Sequence, residues 1–139
     1  MAITRHEELR VYRMSFKAAM RIFKLTKKWP KEEKYALTDQ IRRSSRSVSA
    51  NVAEAWRKRR YKKHFISKLS DADAESAETR TWLRFAKQCS YMNASDFSEL
   101  DQKYDHLCGS LVTMINDPDP WCGPSKLVEE PLPDYDPES

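Results

Sequence analysis

The sequence predicts an all-α fold, an up-down-up-down four-helix bundle with a Pro-rich acidic C-terminal tail. Three observations predict it. Apolar residues recur at spacings of three and four along four successive segments, the pattern of amphipathic helices. Only two glycines, Gly109 and Gly123, occur in 139 residues, fewer than the turns of an all-β chain need. Hydrophobic residues make up 40% and charged residues 33%, which suits helices that bury one stripe and leave the rest in water. Helices joined by short connections pack as such a bundle.

The first helix is expected to open at a Thr4–Glu7 capping box and run to about Trp29. Leu9, Tyr12, Phe16, Ala19 and Phe23 draw its apolar stripe, widened by Ile22. Pro30 ends it, because the residue before proline is pushed out of the helical region. The same proline suits the first turn of a second helix from about Lys31 to the Arg57–Arg60 cluster, with Glu32 and Glu33 at its positive end. Leu37, Ile41, Ser44, Val48, Val52 and Ala55 give this helix a weakly apolar face of small residues that lets a neighbour approach closely.

The third helix is expected over about residues 61–91. Phe65, Leu69, Ala72, Ser76, Thr79, Leu83 and Ala86 alternate spacings of four and three without a break, as in helices packed at a shallow angle. A turn at residues 93–95, with Ser95 as N-cap, leads to a fourth helix carrying Phe97, Leu100, Tyr104, Leu107, Leu111 and Met114. The bundle spans residues 1–116. Residues 117–139 hold six prolines, seven acids and one lysine, and read as an extended or disordered tail that Trp121, Leu127 and Val128 can pin to the bundle.

Charge is divided unevenly. Residues 1–70 hold 20 Lys and Arg against 6 Asp and Glu, a net of +14; residues 71–139 hold 5 against 15, a net of −10. A basic half implies an anionic partner, nucleic acid being the commonest, or pairing of the two halves within one bundle or between subunits. No apolar run reaches membrane length and residues 1–10 are polar, so no membrane partner and a cytoplasmic location are expected. Cys89, Cys108 and Cys122 are odd in number and widely spaced, indicating neither a disulfide framework nor a zinc site.

Signatures of chemistry are sparse. Two glycines build no phosphate-cradling loop, and the three histidines sit on three different elements, so no catalytic, cofactor or metal residues are assigned. Asp71, Asp73, Glu75 and Glu78 on the third helix supply either a hard-cation site or partners for the basic second helix. Gln40, Arg43, Ser47, Asn51 and Glu54 form a polar stripe beside the core, of the kind that joins helices or subunits; with Glu78 they are the candidate interface residues. Arg42, Arg46 and Arg57 lie further round toward solvent, and Arg57, Lys58, Arg59, Arg60, Lys62 and Lys63 crowd the junction with the third helix. Like charges at this density repel unless an anion meets them. These eight cations are the candidate nucleic-acid contacts, with Trp56 and Tyr61 nearby either to stack on unpaired bases or to serve the core.

At these residues the chain resembles the four-helix-bundle proteins of 23S ribosomal RNA intervening sequences, a family that includes the accessory variability proteins of diversity-generating retroelements. The similarity rests on Pro30, Glu33, Leu37, the run Gln40 to Arg43, Ser47-Val48, Asn51 to Glu54 and Arg57, and continues through Phe65, Leu69, Ala72 and Glu78 over roughly residues 6–116. Ala55, Ala74 and Glu75 depart from it, standing where the family usually has glycine, glycine and serine. The resemblance implies a bacterial, ring-shaped homopentamer. In the retroelement branch it implies a basic partner of a reverse transcriptase. The function expected is therefore a non-enzymatic, oligomeric accessory protein that binds RNA or DNA. The alternative is a structural interaction module whose basic and acidic halves pair between subunits.

Overall fold

The computed structural model describes residues 2–122 and 128–131, and within them the chain is built almost entirely from helix. In order the elements are β1 (Ala2–Ile3), α1 (Arg10–Thr26), α2 (Leu37–Arg57), α3 (Lys62–Gln88), α4 (Ala94–Asn116), α5 (Asp119–Cys122) and β2 (Val128–Glu129). Short 3-10 turns at His6–Glu8 and Lys31–Glu33 precede α1 and α2. None of these helices is long and apolar enough to cross a membrane.

The entry to α1 differs from the expected capping box. The carboxylate that turns back is Glu8, not Glu7: it accepts from the Thr4 hydroxyl at 2.8 Å and the Arg5 amide at 3.1 Å. The Thr4 hydroxyl in turn holds the Glu8 carboxyl below its ordinary range. The tight 3-10 turn ends at Leu9, whose backbone is extended, so the α-helix starts only at Arg10. The Arg10 amide donates to the Glu130 carboxylate at 2.8 Å, so a tail residue supplies the cap that local sequence does not.

The buried face of α1 is also rotated from the expected stripe. Val11, Met14, Ser15, Ala18, Ala19, Ile22 and Thr26 are buried, whereas Phe16 is 50% exposed and Tyr12 and Phe23 sit at the rim. The reason is close approach. The Ser15 and Ser49 hydroxyls meet at 2.9 Å between α1 and α2, a separation that small residues allow and an inward Phe16 would block.

Pro30 falls in the connection as expected, but α2 begins at Leu37 rather than at about Lys31, because Ala36 leaves the helical region. Glu33 bridges the gap: one carboxylate oxygen accepts from the Leu37 amide at 3.4 Å and the other from the Tyr91 hydroxyl at 2.8 Å. That bond, with burial, pushes the Tyr91 hydroxyl up to about 12. The α2 stripe predicted from spacing is buried in full, as are all seven positions of the α3 repeat. Ser44 and Thr79 join hydroxyls at 2.8 Å across the two helices. The chain leaves α3 through Ser90, whose φ of 63° is left-handed, and the Tyr91 amide bonds back to the Ala86 carbonyl at 2.9 Å. Asn93, not Ser95, caps α4, because its side-chain oxygen reaches the Asp96 amide at 2.7 Å.

Contacts show how the helices lie. Thr26 meets Arg42 and Ser15 meets Ser49, so α1 and α2 run in opposite directions. Arg43 meets Glu78 and Glu54 meets Lys68, so α2 and α3 do the same. Arg80 of α3 donates to Asp101 of α4 at 2.9 Å, and Arg21 of α1 to Asp96 of α4 at 2.9 Å. After α4 the chain folds back. Trp121 and Val128 enter the hydrophobic core with Ile3, and β2 pairs antiparallel with β1. Residues 117–122 and 128–131 are thus docked on the helices rather than free of them. Leu127 and residues 132–139 lie outside the described residues.

Candidate nucleic-acid interface

The basic candidates divide into two groups along α2. Arg46 and Arg57 are eleven residues apart, about 16 Å of helix axis at 1.5 Å per residue.

The first group gathers on Phe23. The Arg42 guanidinium lies 4.8 Å from the ring centroid, Arg46 5.6 Å, and the Lys27 ammonium 4.8 Å. Arg42 also donates to the Thr26 hydroxyl at 2.8 Å, so it is half-buried and anchored rather than turned freely to solvent as expected. Three cations around one ring concentrate positive charge. Phe23 and Lys27 went unmarked as site residues because Phe23 reads as core and Lys27 as an ordinary surface lysine. Beside this group a polar groove of about 510 Å³ is lined by Asp39, Arg42, Arg43, Arg46, Ser47 and Ala50. It adjoins an apolar groove of about 350 Å³ between α1 and α2, where Phe16 and the 42%-exposed Met20 face solvent.

The second group is the α2–α3 junction. α2 ends at Arg57, and the Lys58 amide closes the last turn on the Glu54 and Ala55 carbonyls. Arg57 and Lys58 therefore sit at the negative end of a helix dipole, where cations are favoured. Lys62, Lys63 and His64 open α3 at a positive end with no acid in its first turn. Arg59 lies back over Trp56 with its guanidinium 3.7 Å from the ring centroid and donates to the Trp56 carbonyl at 2.8 Å. Burial, then the neighbouring Arg57 charge, lowers the Arg59 guanidinium from its ordinary value. Trp56 is thereby a core residue, not a stacking platform, whereas Tyr61 is 58% exposed beside His64. Lys62 is paired with Asp119 of α5 at 2.5 Å, and that bond raises its ammonium. The side chains of Arg57, Lys58, Arg60 and Lys63 are exposed and make no ion pair among the described residues.

The polar stripe on α2 is engaged inside the chain. Arg43 donates to Glu78 at 2.6 Å and to Gln40 at 3.2 Å, and lies 3.8 Å from Glu75. Glu54 pairs with Lys68 at 2.9 Å, while the Asn51 amide bonds to the Ser47 carbonyl within the helix. Two of the α3 acids thus serve as partners for α2. Burial first, then the Glu78 charge, raises the Glu75 carboxyl, with Arg43 opposing. No group of three or more His, Cys, Asp or Glu placed to hold a metal occurs among the described residues.

Comparison with known proteins fits this arrangement. The family described as 23S rRNA-intervening sequence protein matches residues 7–113. A crystal structure of a protein of unknown function, from the S23 ribosomal protein family of Bacteroides thetaiotaomicron VPI-5482, is similar with a TM-score of 0.69 and 29% identity. The match covers 76% of this chain and 95% of that one. No curated protein matches.

Proposed function

The chain belongs to the 23S rRNA-intervening sequence protein family, and from that premise we propose that it is a non-enzymatic, oligomeric accessory protein that binds RNA or DNA through phosphate. The observation that carries this reading is the α2–α3 junction, where Arg57, Lys58, Arg60 and Lys63 stand exposed without an acidic partner among the described residues. The ion pairs of Arg43, Lys68 and Arg80 join helices instead, and at the junction Lys62 pairs with Asp119, which leaves these four cations unneutralised among the described residues. Arg42 and Arg46 on Phe23 form a second phosphate contact further along α2.

In this reading the body is an up-down-up-down four-helix bundle with a Pro-rich acidic tail, supported by the opposed contacts of successive helices. Its setting is the bacterial cytoplasm, its assembly is a homopentamer, and in a retroelement setting its protein partner is a reverse transcriptase. A second reading, a structural module that docks other subunits, is favoured by the apolar α1–α2 groove, since exposed Phe16 and Met20 gain by being covered. The two readings are compatible on one molecule.

The test is a titration of the intact protein with a labelled RNA hairpin and a labelled DNA duplex across a salt series. Binding at low salt that weakens log-linearly as salt rises is expected. No binding to either at low salt refutes the reading.

A further inference from the structure

The tail brings an acid to the junction. Asp119 sits on α5, beyond the residues matched by the family, and its carboxylate lies 2.5 Å from the Lys62 ammonium. The position is set by anchors on either side. Trp121, two residues on, is buried in the core, as is Val128. β2 pairs with β1 in the register Ala2↔Glu129 and Ile3↔Val128, and Glu130 caps Arg10 at the start of α1. These contacts hold residues 117–122 and 128–131 against the bundle, with Asp119 at its basic end. Lys62 opens α3, whose positive dipole end carries no acid in its first turn and favours an anion. It is flanked by Lys63 and by the exposed Arg57, Lys58 and Arg60.

We infer that the Lys62 ammonium, at the start of α3, is a phosphate-binding position that Asp119 occupies in cis, so the docked tail competes with nucleic acid for the junction. The inference rests on the nucleic-acid reading above. The chemistry is an exchange of anions: a phosphodiester oxygen replaces one carboxylate oxygen on the same ammonium. Both side chains of the existing pair are more than half exposed, so exchange needs no core rearrangement. Trp121 and Val128 keep the tail seated while Asp119 turns away. Asp117 adds a second negative charge near Lys62 that a phosphate would have to meet.

The experiment compares the full-length protein with Asp119→Asn, Lys62→Ala and the double variant, each titrated with a labelled RNA hairpin and a labelled DNA duplex at low ionic strength. Trp fluorescence and circular dichroism confirm the fold of each. Asp119→Asn is expected to bind about two- to fivefold tighter, the range an exposed ion pair spans. Lys62→Ala binds more weakly, and in its background Asp119→Asn gives no gain. Unchanged affinity for Asp119→Asn overturns the inference while leaving the nucleic-acid reading intact. So does an equal gain in the Lys62→Ala background, which makes the effect general charge repulsion. Failure of every variant to bind either nucleic acid overturns both.

Discussion

Replacing Arg43 with glutamine tests how α2 and α3 are held together. The Arg43 guanidinium lies 2.6 Å from Glu78 and 3.8 Å from Glu75. Arg43→Gln retains amide donors but removes the charge, leaving two carboxylates facing each other. Two unit charges 4 Å apart interact by about 4 kcal/mol at an effective dielectric near 20 and by about 1 kcal/mol in water. The Arg43 side chain is 49% exposed, so screening brings the lost attraction toward the lower figure. With the remaining carboxylate repulsion, the expected loss is about 1–2 kcal/mol, or roughly 0.5–1 M in the urea midpoint. The sign of the pH dependence follows from Glu75. Its folded carboxyl is raised above the ordinary value of 4.5 by burial and by Glu78, so the folded chain holds that proton more tightly than the unfolded chain. The associated stability is therefore full below the ordinary value and is lost as pH rises through the folded one. Removing Arg43 raises Glu75 further, so the deficit should be largest at neutral pH and shrink toward pH 4.5. Urea unfolding followed by circular dichroism across that pH range measures it, and Glu75→Gln in the same chain should restore most of the loss. A variant as stable as wild type at neutral pH, or a deficit that neither depends on pH nor responds to Glu75→Gln, would refute the reasoning.

Three further perturbations have defined outcomes. Leu69→Ala, at a fully buried position of α3, should cost about 2–5 kcal/mol in chemical denaturation, as large-to-small core changes do; a loss under about 1 kcal/mol would contradict the packing. Ser90→Gly should raise stability by about 0.5 kcal/mol, because relief of the left-handed backbone exceeds the added chain entropy, and a lower thermal midpoint would count against it. Phe16→Glu with Met20→Glu should leave the helical circular dichroism spectrum unchanged while reducing oligomer size in sedimentation, and an unaltered oligomer would remove the α1–α2 groove from the assembly.

The legible parts of the fold were those with a long uninterrupted period. The α3 repeat spans seven positions from Phe65 to Ala86, all of them buried, although Ile66, Trp82 and Phe85 lie off it. α1 offered two faces. Spacing and size favoured the one through Phe16 and Phe23, but packing selected the smaller side chains around Ser15 and Ala18 so that α2 could approach. Hydrophobicity ranks side chains by size, whereas close helix contact rewards small ones. The caps were misplaced by one or two residues because Glu8 and Asn93 compete with equally plausible neighbours, and the Glu130 cap on Arg10 spans 120 residues that no local pattern can connect. At the candidate site, residue type was legible and geometry was not. The density of cations at residues 57–63 is plain in the sequence, but the withdrawal of Arg59 onto Trp56, the pairing of Lys62 with Asp119 and the meeting of Lys27, Arg42 and Arg46 on Phe23 are products of tertiary structure.

The central claim is that the exposed cations of the α2–α3 junction bind phosphate. The most direct measurement is the slope of log affinity against log salt for a DNA duplex, in the wild-type protein and in a variant with Arg57, Lys58, Arg60 and Lys63 all changed to alanine. Each phosphate contact contributes about 0.9 to the slope, so loss of all four should flatten it by roughly 3.6, and the wild type should lose about a hundredfold more affinity between about 50 and 200 mM salt than the variant. Equal slopes in the two proteins, at unchanged affinity, would contradict the claim.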